Sequence, residues 1–359
     1  MVETTIKSIF IASLILLSAI AYSSERKVIV PANAPKPVGP YSPGIFAGDY
    51  LYVSGQGVRD SNGAMPEGVA AQTRQCLENV KAIVEAAGLT MEHVVHMQLY
   101  LEKIGWLSDV DRVYAEYFPK NPPARVVIGT AKMPTDTTVE MTVVAVRDLK
   151  MKKTLALKSL KPLGHASSAI ETGNRVYLST VYGKTQAEAE AAMKKVLTEA
   201  RLKNDQIVFR NDYGASAPAM IPMNELPNSA AAAISAIAAR KGVKRANGSA
   251  SFCAADGGTI FCSVQTGIGT HANEMTLQAQ VQAVMKKLQA GLAAHGADLS
   301  HTVATNVYLN DIREFKPMNE TYATFFSNSP PTRTTVQPDL IFPHGNPPLV
   351  RISLVAVKE

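Results

Sequence analysis

The chain is poor in the residues on which specialised folds depend. Of its 359 residues only 6% are aromatic, with one tryptophan, Trp106, and only three are cysteine. Three cysteines cannot staple a disulfide-rich scaffold. Cys76, Cys253 and Cys262 form no CxxC pair, which excludes the common structural zinc ligand sets. Charged residues make up 18%, and the net charge of +6 is spread without a long Lys/Arg run, so no nucleic-acid-binding arm is encoded. The seven histidines (93, 96, 165, 271, 295, 301 and 344) show no metal-ligand spacing. There is no nucleophile elbow, Walker loop or dinucleotide glycine fingerprint. Neither metal nor cofactor is therefore expected. What is present, 46% hydrophobic residues over a length of two or three domains, is enough for packed cores and argues against disorder.

The N-terminus reads as a cleavable export signal over residues 1–23. Lys7 precedes an apolar or small-residue run from Ile9 to Ile20, and cleavage sites follow after Ala21 or Ser23. The run is too short for a stable membrane span. The expected location is periplasmic or secreted, with no membrane association of the mature form.

Internal repeats divide the remainder. Lys36-Pro37-Val38-Gly39 through Ser54 aligns without gaps on Lys161-Pro162-Leu163-Gly164 through Ser179, and Gly88–Val126 aligns on Gly296–Thr334, matching Tyr114 with Tyr322 and Arg125 with Arg333. Pro222-Met223-Asn224-Glu225 also recurs as Pro317-Met318-Asn319-Glu320. Three units are expected, at 28–150, 151–245 and 246–359, jointed at the Lys-rich stretches 150–153 and 241–245. Each opens with a hairpin, such as Gly44–Ala47 and Tyr50–Ser54 around Gly48-Asp49. Helical periodicity follows, at Leu77, Val80, Ile83, Val84 and Ala87, at Ala187–Ala200 and at Leu277–Ala294. Then come a strand and, in units one and three, a second helix and two more strands. The fold class is α+β, each unit a mixed β-sheet with two helices packed on one face. Unit two departs: the Ala-rich Asn228–Arg240 is helical by propensity, and no Pro-Pro-x-Arg strand follows.

Unit one contains Gly39-Pro40-Tyr41-Ser42, Tyr52-Val53-Ser54-Gly55-Gln56, Asn121-Pro122-Pro123-Ala124-Arg125 and Val139-Glu140. With these stretches the sequence resembles the YjgF/Rid family, the reactive-intermediate deaminases formerly called L-PSP endoribonucleases. The resemblance implies a hydrolase that converts reactive 2-imino or 2-enamino acids to 2-keto acids and ammonia, in trimers whose clefts lie between subunits. It implies Glu140, Arg125, Tyr41 and Ser54 as catalytic residues, and Arg125, Gly55, Asp111, Arg333, Ser263 and Asn319 as substrate-binding ones. The residues agree with these roles. Two prolines give Arg125 an extended approach, and its planar guanidinium suits a carboxylate bidentately. Glu140 begins an apolar strand, where desolvation raises a carboxyl pKa and suits it to move a proton. Arg125 and Glu140 are expected to belong to one set. Arg333 is expected in a cleft without a glutamate, because unit three has Arg351 at the glutamate position and Ala250 at the tyrosine position. Unit two has Ala166 at the tyrosine position. The partner is thus a small imine, enamine or keto acid. Nucleic acid is not an expected partner, and a non-catalytic carboxylate-binding module and an RNA-cleaving enzyme are the alternatives.

Three family-like units in one chain suggest a covalent pseudo-trimer, with a homotrimer as the competing assembly. A two-residue turn at Gly257-Gly258 puts Cys253 directly opposite Cys262, which predicts a cross-strand disulfide.

Overall fold

Strand alternation decides which side chains lie beneath helices and which face the neighbouring unit. The structure, a computed structural model, describes residues 26–32, 35–214, 221–267, 275–326, 329–339 and 348–358. Unit one consists of β1 (Lys27–Ile29), β2 (Gly44–Ala47), β3 (Tyr50–Gln56), α1 (Val69–Ala86), β4 (Val94–Leu101), α2 (Leu107–Tyr117), β5 (Ala124–Gly129) and β6 (Val139–Val146). The sheet order is β1-β2-β3-β6-β4-β5. Only β4 and β5 run parallel, with α2 as their crossover. On β6, Val139, Met141, Val143 and Ala145 enter the core shared with α1 and α2. The period of two turns Glu140 and Thr142 to the opposite face.

Unit two contains β7 (Lys152–Leu155), β8 (Ala169–Thr172), β9 (Arg175–Leu178), β10 (Val181–Gly183), α3 (Gln186–Glu199), β11 (Ile207–Gly214) and β12 (Ala232–Ala239). Here the reading of Asn228–Arg240 as a helix is corrected: the segment supplies β12, all eight residues of which are buried. Alanine's helix preference is worth under about 1 kcal/mol per residue against other ordinary residues. As a strand the same segment pairs with β9, β10 and β11, whose backbone groups would otherwise lose their partners. Pro222–Glu225 is likewise not a copy of Pro317–Glu320. It leads into the turn at Pro227–Ser229, which matches the turn at Pro134–Asp136; both carry two non-glycine residues at positive φ (Asn228 and Ser229, Thr135 and Asp136). Among the described residues this unit has one α-helix.

Unit three repeats unit one: β13 (Val243–Arg245), β14 (Cys253–Asp256), β15 (Thr259–Thr266), α4 (Leu277–Ala293), β16 (Thr302–Leu309), α5 (Phe315–Ala323), β17 (Thr332–Val336) and β18 (Val350–Val357). Its sheet order is β13-β14-β15-β18-β16-β17, with β16 and β17 parallel. The two Lys-rich joints are short strands, β7 and β13, each paired with its own unit's hairpin, so no free linker separates the sheets. Cys253 and Cys262 are register partners and are disulfide-bonded, with a Cα–Cα distance of 4.1 Å. Cys76 is buried and free.

The helix-free faces of all three sheets meet. Ile45 and Tyr52, Ile170 and Tyr177, and Ala254 and Phe261 contribute equivalent positions to one core. Tyr100, Tyr213 and Tyr308 do so in a second. One contact breaks the equivalence: Arg175 donates from Nε to Asp256 (2.8 Å) and from Nη2 to Thr259 (2.6 Å), and stacks over Tyr50 at 4.3 Å. The proposed export segment lies outside the described residues. Within them no helix is long and apolar enough to cross a membrane.

Candidate functional site

The unit-one/unit-three cleft is built by strand ends that the prolines hold extended. Ser42 donates from N to Pro331 O (3.0 Å) and from Oγ to Pro330 O (2.6 Å), and Arg26 Nη1 reaches Ser329 Oγ at 2.6 Å. These bonds dock the approach to β17 against unit one and set Arg333 in the cleft. Arg333 is 4% exposed and ringed by Tyr322 (5.1 Å), Phe315 (5.4 Å) and Tyr41 (5.5 Å), measured to ring centroids. Its Nη1 is buried without a hydrogen-bond partner, and among the described residues no carboxylate closes an ion pair with it. A buried cation left in that state is costly unless a ligand supplies the counter-charge.

Glu140 shares this cleft. Burial pushes its carboxyl up to about 8, with the positive charge of Arg333 opposing the rise. Gly55 leaves room for the carboxyl: a Cβ there would lie 2.0 Å from Glu140 Oε1 and would displace it. Tyr41 contributes its ring, and its hydroxyl accepts from Val38 N at 3.3 Å. Thr335 Oγ1 and Asn319 Oδ1 are also buried without partners. The pocket here, about 70 Å³, is lined by Tyr41, Gly55, Thr137, Glu140, Phe315, Arg333 and Thr335.

The structure separates Arg125 from Glu140. Arg125 faces unit two, where its Nη1 pairs with Asp111 at 2.6 Å and its Nη2 donates to Leu163 O at 2.8 Å, beneath the Tyr114 ring. Asp111 thus supplies the counter-charge that Arg333 lacks. The rest of this second cleft is also altered. Ala166 stands in place of Tyr41, Thr180 in place of Gly55, and Ala233, opposite Tyr213 as Glu140 is opposite Tyr100, in place of the glutamate. In the third cleft, Ser263 is half-buried and Arg351 takes the place of Glu140. Burial pushes the Arg351 guanidinium down to about 10. Among the described residues unit two has no counterpart of β5 or β17 to bring an arginine opposite them.

Of the expected residues, Tyr41, Gly55, Glu140, Arg333 and Asn319 therefore converge, while Arg125 with Asp111, and Ser263, lie elsewhere. The pairing of Arg125 with Glu140 is replaced by Arg333 with Glu140. Ser54 precedes Gly55 in the chain, but its hydroxyl donates to Pro43 O (3.0 Å) and accepts from Gln56 Nε2 (2.8 Å), which makes it a brace for the turn. Phe315 and Thr137 were not anticipated. Nothing in their types marks them, although Phe315 opens α5, the repeated helix that carries Asn319.

Sheet-and-helix units that meet across such clefts define the class: an α+β protein of repeated units whose side chains face one another across the clefts. The family model for endoribonuclease L-PSP matches residues 31–147 and 246–357, and the chain belongs to that family. A RutC family protein of Pyrococcus horikoshii is 40% identical over 125 residues, which are 34% of this chain and 99% of that protein. The 2-iminobutanoate/2-iminopropanoate deaminase of Escherichia coli is 38% identical over 125 residues, 34% of this chain and 98% of the relative. The crystal structure of the Escherichia coli YjgF gene product is matched over 34% of this chain and 99% of that one, with 37% identity and a TM-score of 0.33.

Proposed function

We propose that the chain hydrolyses small 2-imino or 2-enamino acids to 2-keto acids and ammonia in the cleft formed by Arg333, Glu140 and Tyr41. The observation that carries this reading is the buried, unpaired Arg333 guanidinium beside a carboxyl whose proton is held to about pH 8. Arg333 takes the substrate carboxylate through Nη1, and the aromatic rings keep water from competing. Glu140 is neutral near pH 7 and donates its proton to the imine nitrogen, or to the terminal carbon of an enamine. It then accepts a proton from the water that attacks C2. Collapse of the resulting carbinolamine expels ammonia and leaves the keto acid, so one water is consumed per ammonia released. A pocket of about 70 Å³ that brings Arg333, Glu140 and Tyr41 together suits a small acid held by its carboxylate.

The test is ammonia release from iminopyruvate generated in situ by an amino-acid oxidase. Acceleration by the wild type and its loss in Glu140→Gln are expected. Keto-acid binding without turnover would leave a carboxylate-binding module instead.

The three sheets of one chain serve, in this proposal, as the three subunits of a trimer. Export is proposed as well. The apolar run before Ala21 and the Cys253–Cys262 bond, which an oxidising compartment favours, support it. N-terminal sequencing of the native protein should read a start after Ala21 or Ser23, and a start at Met1 would contradict it.

A further inference from the structure

Arg333 and Glu140 line the inner pocket, where the substrate carboxylate and the reacting carbon would lie. A groove of about 280 Å³ opens from it, sharing Val38, Tyr41, Gly55, Gly57, Thr135 and Thr137 as common walls. These shared walls give a substrate held by Arg333 a path for its side chain into the groove.

The groove is cationic. Arg59 is half-buried on it and donates Nε and Nη2 to Thr135 O (3.2 and 3.0 Å) and Nη1 to Gly63 O (2.9 Å). Those carbonyls hold the guanidinium in place and leave its charge uncompensated, since among the described residues no carboxylate pairs with it. Exposed Lys36 lines the same groove. The carboxylate that also lines it, Asp60, is turned into its own loop, where Oδ1 accepts from Asn62 N (2.9 Å) and Ala64 N (2.8 Å).

We propose that the groove is a side-chain subsite for a second carboxylate, and that Arg59, with Lys36, determines specificity for dicarboxylic imino acids. The inference rests on the reading of the cleft as an imino-acid site. Arg333 holds the carboxylate next to the reacting carbon, and Arg59, whose Nη1 and Nη2 each keep a second N–H beyond those given to Gly63 and Thr135, holds the distal one.

Calorimetric titration with two stable keto acids, pyruvate and 2-oxoglutarate, tests the subsite apart from turnover. The wild type should bind 2-oxoglutarate at least about tenfold more tightly, as one charge-assisted contact provides. Arg59→Gln and Lys36→Gln should each reduce that preference while leaving pyruvate affinity unchanged. Equal affinities in the wild type, or a preference for pyruvate, would overturn the proposal. A parallel loss of both affinities in Arg59→Gln would overturn the specificity role of Arg59 and make it a strut for the Thr135 turn; Lys36→Gln, which removes no hydrogen bond to the fold, then reads the subsite independently. Retained preference without ammonia release from either imine would sink the deaminase reading and leave the subsite standing.

Discussion

Asp111 and Asn319 occupy equivalent positions in the repeat and differ in a single side-chain group, yet they leave the two arginines in opposite states. The carboxylate of Asp111, 18% exposed, neutralises Arg125, whereas the amide of Asn319 leaves Arg333 charged and available. Removing one partner of a buried pair strands the other, at a typical cost of about 3–5 kcal/mol. Asp111→Asn should therefore lower the melting temperature markedly, and added millimolar 2-keto acid should recover part of the loss by binding Arg125. Melting curves with and without the acid check this; an unchanged midpoint would show that Arg125 needs no counter-charge.

Glu140 gives the residue scale a second test, with its sign fixed by the raised carboxyl. Below about pH 4.5 the folded and unfolded chains both hold the proton. Between that value and about 8 the unfolded chain releases it first, so stability falls as pH rises, then levels off. Glu140→Gln should remove this slope and be most stabilising, relative to the wild type, near pH 8. Activity should fall as pH passes about 8 if the neutral carboxyl is the working form. A rate that rises through that pH would mean that the ionised form carries the reaction.

At the scale of elements, the hairpin that carries Cys253 and Cys262 shows what periodicity can determine. A two-residue turn fixes register by counting, and the expected pairing is the one observed. The helices α1, α3 and α4 and most strands were legible for the same reason, since their signals are local. β12 was not: an alanine run carries a helical preference, and its strand character comes from β9 and β11, which are distant in sequence. The site was half legible. Its residue types could be read from the repeat, but the exchange of Arg333 into the cleft of Glu140 is a relation between units, and a within-unit alignment assigns each arginine to its own glutamate. The disulfide closes a short loop, with a sequence separation of 9, and loop-entropy arithmetic gives it about 2–3 kcal/mol. It packs against α4, where a Cβ on Gly291 would fall 2.5 Å from Cys253 Sγ. Reduction, or a Cys253→Ala/Cys262→Ala pair, should lower the melting temperature, and an unchanged midpoint with and without reductant would contradict that estimate.

At the scale of the whole molecule, the central contacts differ between units in a way three identical chains could not reproduce. Tyr50, Arg175 and Thr259 stand at equivalent positions, and only Arg175 finds Asp256 beside it. A homotrimer built through unit one alone would set three Tyr50 rings together and discard that pair. Light scattering should therefore give the mass of one chain, 38.5 kDa or less after processing, and a mass near three chains would favour the homotrimer. The central claim is that Arg333 of unit three completes the site of unit one, while Arg125 is already neutralised from within. Titration calorimetry with a 2-keto acid on the wild type, Arg333→Ala and Arg125→Ala tests it most directly. The account predicts one site per wild-type chain, lost in Arg333→Ala and kept in Arg125→Ala; binding that survives Arg333→Ala and disappears in Arg125→Ala would contradict it.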